Sequence, residues 1–160
     1  MTDFAGLIRV LTENRVDFIL IGGLAAAAHG AIRTTKDVDV VYARTEANMA
    51  RLAAALTPLQ PYLRGAPPGL PFRWDAETIA HGLNFTLTTA LGDIDLLGEV
   101  TGGGDYERLV PHSIEIEAFQ RRCLCLDLDM LIHVKRAAGR PKDLEAIAEL
   151  EALREERQGD

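Results

Sequence analysis

The stretch from Asp17 to Tyr42, DFILIGGLAAAAHGAIRTTKDVDVVY, decides the fold. Asp17-Phe18-Ile19-Leu20-Ile21 is a short apolar run cut off by Gly22-Gly23, the pattern of a buried strand ending in a sharp turn. Leu24 to Ala28 is Ala-rich and favours a helix, which stops at Gly30. Val38-Asp39-Val40-Val41-Tyr42 is β-branched and predicts a second strand. Strand, glycine turn, helix and strand in succession describe a sheet with helices packed on it. On that second strand alternate side chains share a face, so Asp37 and Asp39 project together. An aspartate between Val38 and Val40 is costly inside a sheet unless it has a task.

Outward from this stretch the same kind of signals continue. Phe4, Leu7, Ile8 and Leu11 stand at helical spacing over residues 3–14. Thr45 is placed to cap a helix over 46–56, which Pro58 ends. Residues 58–73 hold Pro58, Pro61, Pro67, Pro68 and Pro71 with Gly65 and Gly69, a loop too short to link domains. LNFTLTT (83–89) and IDLLGEV (94–100) form a hairpin across Ala90-Leu91-Gly92-Asp93. A Gly102-Gly103-Gly104 connection, a helical piece near Tyr106–Val110 and short strands at 114–118 and 122–126 follow. Asp127 caps a helix carrying Met130, Leu131, Val134 and Ala138, and Gly139-Arg140-Pro141 interrupts it. Leu144, Ile147, Leu150 and Leu153 make the buried stripe of a last helix, with 151–160 a charged tail expected to fray. The sum is a single α/β (α+β) domain over 1–160, a mixed twisted sheet flanked by helices, with the C-terminal helices closing one side of a cleft.

Composition narrows the function classes. With 160 residues, 48% of them apolar and 26% charged, the chain is globular and able to build a core. Its 17 Lys and Arg against 24 Asp and Glu give a net charge of −7, which argues against gripping nucleic acid over the whole surface and leaves only a local basic patch. No apolar run approaches a bilayer span, so no membrane partner is expected, and MTDFAGLIRVLTENR lacks a signal-peptide pattern. Cys123 and Cys125, two apart on a strand, close almost no loop, so they are expected as reduced thiols in the cytoplasm.

The chemistry lies in the carboxylates. Asp37 and Asp39 repel unless a cation lies between them, and hard oxygen donors at this spacing suit Mg²⁺ (or Mn²⁺) sharing its shell with phosphates. A third carboxylate from a neighbouring strand would let two ions sit roughly 3.5–4 Å apart. Asp93 adjoins Gly92 at the hairpin turn, where Asp is common for local reasons, whereas Asp95 lies between Ile94 and Leu96 inside the strand. Asp95 is therefore the chosen third ligand. Gly22 and Gly23 let backbone approach a triphosphate, and the next helix offers amides to the anion; taken alone they are also compatible with a mere tight turn. Arg33 stands near the mouth of this site or is a solvated surface residue. Lys135, Arg136, Arg140 and Lys142 make the one dense basic cluster, part of which a helix end would attract for dipole reasons. His29 reads as a packed or surface residue, and Asn84, Thr86 and Thr88 as ordinary cross-strand partners.

Apolar-Gly-Gly, thirteen residues, then Asp-x-Asp resembles the signature of the polymerase β-type nucleotidyltransferase superfamily, with Asp95 in the position of its third carboxylate. GGLAAAAHGAIRTTKDVDVV, GDIDLLGEV and LIHVKRAAGRPKDLEAI together resemble the small bacterial nucleotidyltransferases related to AbiEii-type toxins, over about residues 16–150. The resemblance implies the nucleotidyltransferase fold and a transferase that binds ATP or another nucleoside triphosphate with magnesium. It gives Asp37, Asp39 and Asp95 as catalytic metal ligands. Gly22, Gly23, Arg33, Lys135, Arg140 and Asp143 become its nucleotide-binding set, with Asp143 orienting Lys135 or Arg140. It further implies an acceptor such as RNA or tRNA and a role as the toxin of a toxin–antitoxin pair. The alternative is an antitoxin-like regulatory partner that binds nucleotide without turnover.

Overall fold

The structure is a computed structural model that describes residues 1–32 and 34–159. Helix α1 (Phe4–Glu13) starts under Asp3, whose carboxylate accepts the Gly6 N–H at 2.9 Å. Strand β1 (Phe18–Ile21) runs directly into α2 (Gly22–Ala28), and β2 (Asp37–Tyr42) follows. Thr45 caps α3 (Glu46–Leu56). Then come β3 (Tyr62–Leu63), α4 (Ala76–His81), and the pair β4 (Asn84–Thr89) and β5 (Gly92–Leu97). A small hairpin, β6 (Glu99–Val100) with β7 (Gly104–Asp105), leads into α5 (Tyr106–Leu109). Strands β8 (Ser113–Ala118) and β9 (Arg121–Leu126) precede α6 (Leu128–Ala138), capped by Asp127, and α7 (Pro141–Gly159).

Seven strands form one mixed sheet in the order β3-β4-β5-β2-β1-β9-β8. The β2–β5 and β1–β9 pairs are parallel and the others antiparallel. All four residues of central β1 are buried, so helices cover the sheet on both faces. Helix α1 packs on α3, β2 and β9; α2 packs on β1, β2 and α6; and α7 lies on α6. In β2 and β5, Val38, Val40, Ile94 and Leu96 are fully buried, while Asp37, Asp39, Asp93 and Asp95 take the alternate positions. The sequence alternation thus sorts apolar side chains into the core and acids onto the opposite face. Among the described residues no helix is long and apolar enough to cross a membrane.

Four local expectations need correction. The 58–73 segment is not all loop: β3 adds Tyr62 and Leu63 to the sheet edge, opposite Thr88 and Leu87. The hairpin turn is only Ala90-Leu91, because Thr89 already pairs with Gly92, so Asp93 lies in β5 and not in the turn. The buried stripe of α7 runs through Asp143, Ile147 and Leu150, and Leu144 is 64% exposed. Four- and three-residue steps put those three on one helical face, and a carboxylate, not the apolar Leu144, fills the buried position in the first turn. Finally, α7 continues as helix through the charged tail to Gly159, where the Arg157 guanidinium donates to the His29 carbonyl at 3.2 Å.

Cys123 and Cys125 are free, buried thiols pushed up to about 11 and about 12 by burial, so neither offers a thiolate near neutral pH. His29 is packed, with Nε2 2.7 Å from the Leu126 carbonyl. Asn48 on α3 is fully buried; its Oδ1 accepts the Asp17 N–H at 2.6 Å, and its Nδ2 donates to the Asp17 and Ala43 carbonyls at 3.0 and 2.8 Å. One side chain thereby closes the backbone at the start of β1 and the end of β2. Asn48→Ala strands these groups and is expected to cost about 2–3 kcal/mol in urea denaturation.

Candidate active site

Register assembles the site. Parallel pairing sets Asp37 beside Asp93 and Asp39 beside Asp95, and antiparallel pairing sets Ile21 beside Asp39. The chain turns into α2 at the next residue, which brings Gly22 against the Asp39 side chain. Carboxylate oxygens of Asp37, Asp39 and Asp95 all lie within 4.8 Å of one another. Such crowding has a visible electrostatic cost: Asp39 is pushed up to about 8, by burial first and then by Asp37 and Asp95. Asp37 is also raised, again by burial and then by Asp95, although Arg64 pulls the other way.

Gly22 has φ +67°, and a Cβ there would stand 2.1 Å from Asp39 Oδ2. A side chain is therefore excluded twice, by conformation and by the acid it would strike. At Gly23 a Cβ would lie 2.5 Å from Thr35 Oγ1, which itself donates to the Asp37 carbonyl at 3.1 Å. Glycines at these positions leave bare backbone beside the acids.

Basic side chains enter from two directions. Lys135 on α6 is three-quarters buried or more and feels both Asp143 and Asp39; burial is the main force lowering its pKa. Its Nζ stands 3.9 Å from Asp143 Oδ1. Asp143, 2% exposed, accepts from Arg140 Nε at 2.8 Å, Arg140 Nη2 at 3.3 Å and the Arg140 N–H at 3.1 Å. Burial pushes the Asp143 carboxyl up, but these bonds and the nearby Lys135 outweigh it, so it is held below its ordinary value. Asp143 thus holds both cations in place. Arg136 instead pairs with Glu151 on α7. Arg33 lies outside the described residues.

The second direction was missed from sequence. Arg64, just past β3, reaches over the acid face: Nη1 is 3.5 Å from Asp37 Oδ2, Nε 3.5 Å from Asp93 Oδ2 and Nη2 3.0 Å from Asp95 Oδ1. It sits in the Pro- and Gly-rich segment, where the one available signal was the Tyr62-Leu63 pair preceding it. Despite the proximity of Arg64, Asp95 Oδ1 and Arg64 Nε are both buried without a hydrogen bond of acceptable geometry among the described residues. A buried carboxylate oxygen that accepts no hydrogen bond, two neighbouring carboxylates of hard oxygen donors and a side-chain-free backbone beside them fit a Mg²⁺- or Mn²⁺-type cation.

No family model matches the chain, and no curated protein matches it. Among solved structures it is similar to a candidate nucleotidyltransferase from Thermotoga maritima, at 14% identity and a TM-score of 0.49, over 100% of this chain and 97% of that one.

The raised Asp39 carboxyl has a stability consequence. An acid whose pKa is about 8 in the fold and 3.8 ordinarily favours folding when protonated, so its ionisation penalty grows as pH rises through that window. Asp39→Asn in metal-free buffer is expected to raise Tm by about 2–4 °C at pH 8, with the gain vanishing near pH 4. Thermal melts across that range check it. Gly22→Ala is expected to destabilise at every pH, because its clash with Asp39 is steric.

Proposed function

We propose that this chain is a metal-dependent nucleotidyltransferase, moving a nucleoside monophosphate from a nucleoside triphosphate to an acceptor hydroxyl with release of pyrophosphate. The observation that carries the reading is the convergence of Asp37, Asp39 and Asp95 beside Gly22, with a buried Asp95 oxygen that faces the Arg64 charge but accepts no hydrogen bond among the described residues. Three acids at this spacing serve no packing purpose.

Asp37, Asp39 and Asp95 would together hold the divalent cation that the reaction needs. When bound, it supplies Lewis-acid stabilisation of charge on the attacking and leaving oxygens. The chain's own groups do the rest. Gly22 and Gly23 let backbone amides approach the phosphates, and Lys135, steadied by Asp143, neutralises part of their charge. Asp95 takes the proton from the acceptor hydroxyl as its oxygen bonds to the α-phosphorus and the bond to the pyrophosphate oxygen breaks. The motif resemblance assigns Arg140 to the same nucleotide-binding set, and its bonds to Asp143 put it on the same carboxylate as Lys135. An RNA end, such as that of a tRNA, is the acceptor that the motif resemblance favours, and the toxin role follows from the same resemblance.

Incubation of the protein with each labelled nucleoside triphosphate, Mg²⁺ and a cell extract tests the reading. Label should appear in an acceptor with wild type and not with folded Asp39→Asn; label transfer by that variant would overturn the mechanism. A second test asks whether Lys135 meets the nucleotide or belongs to a surface patch. Lys135→Ala is expected to weaken binding of a non-hydrolysable triphosphate by roughly 1–3 kcal/mol, the scale of a charge-assisted hydrogen bond. Arg136→Ala should leave it unchanged, since Arg136 is engaged by Glu151. Equal effects of both variants would favour a surface patch for a partner.

A further inference from the structure

Arg64 and Arg140 are both arginines set against aspartates, but their contacts differ in kind. Arg140 makes hydrogen bonds to one buried carboxylate, the geometry of a structural clamp. Arg64 spreads over three carboxylates at 3.0–3.5 Å, and its Nε forms no acceptable hydrogen bond. Charge draws its guanidinium over the acids, and both its backbone and Nη2 are also anchored on β4. The Arg64 N–H donates to the Thr86 carbonyl at 3.0 Å and Nη2 to the Leu87 carbonyl at 2.7 Å, tying the residue to β4 at the sheet edge.

Resting on the metal site proposed above, we infer that Arg64 is the built-in counter-ion of the acid cluster, competing with a divalent cation for Asp37 and Asp95. Three arguments support it. Two of the three carboxylates expected to bind metal already face its guanidinium. The third, Asp39, is reached by the charge of Lys135 from the other side, which opposes but does not outweigh burial and the neighbouring acids. Asp93 gives the guanidinium somewhere to stay: it lies on the same face beside Asp37, pairs with Arg64 Nε and is no part of the three-acid group. A cation entering the cluster thus displaces Arg64 from Asp37 and Asp95 while leaving it a carboxylate. Free metal binds weakly under this arrangement, and a metal carried on a triphosphate, whose phosphates add their own contacts to the site, overcomes the competition.

Mn²⁺ binding to nucleotide-free protein, followed by electron paramagnetic resonance and by the Mn²⁺-induced rise in Tm, tests this without recourse to activity. Arg64→Gln removes the charge and is expected to bind Mn²⁺ about tenfold more tightly than wild type, the effect of one partly exposed neighbouring charge. Arg64→Lys keeps the charge and should bind as wild type does. Unchanged or weaker binding by Arg64→Gln overturns the competition. So does tighter binding by both variants, because the bond to the Leu87 carbonyl would then be responsible. Mn²⁺ binding to none of the three proteins would overturn the metal site itself, an outcome distinct from either of the others.

Discussion

Mutual repulsion among carboxylates that backbone pairing forces together is the constraint around which this molecule is arranged. Parallel pairing of β2 with β5 fixes Asp37 and Asp39 beside Asp93 and Asp95, and a one-residue slip would send all four into the core. The opposite face prevents that slip, because Val38, Val40, Ile94 and Leu96 are fully buried there. Hydrophobic burial therefore supplies the energy that holds like charges within reach of one another.

The surroundings of the acids read as responses to that repulsion. Burial and neighbouring acids push Asp39 up to about 8, so the crowded acids hold protons more tightly than isolated carboxylates do. Lys135 approaches from α6 and Arg64 from the sheet edge, each supplying positive charge. Asp143, itself almost fully buried, fixes Lys135 and Arg140 at the junction of α6 and α7. Gly22 then meets Asp39 so closely that no other residue fits. A cation at the acids would relieve the repulsion, and a triphosphate would meet bare backbone and Lys135 together.

Much of this was legible in the sequence because it rests on local patterns. Strand alternation gave the shared face of Asp37 and Asp39, the glycine pair gave the turn into α2, and Asp127 and Thr45 gave helix starts. Placement inside a strand does not separate Asp95 from Asp93, since both lie in β5; the grouping of Asp95 with Asp37 and Asp39 does. What escaped depends on long-range pairing. Arg64 acquires its place only when the two-residue β3 joins β4 across the Pro-rich segment, a contact with no periodic signal. Asp143 takes the buried position in the first turn of α7, where Arg140 and Lys135 offset its charge, and apolar patterning selects Leu144 instead.

The most direct measurement is a crystal structure with Mn²⁺ and a non-hydrolysable nucleoside triphosphate, the ions located by anomalous scattering. Density for manganese should lie among Asp37, Asp39 and Asp95, with the triphosphate over Gly22 and Gly23 and Lys135 directed at its phosphates. A triphosphate bound elsewhere, or manganese absent from the three carboxylates while Arg64 still spans Asp37 and Asp95, would contradict the central claim.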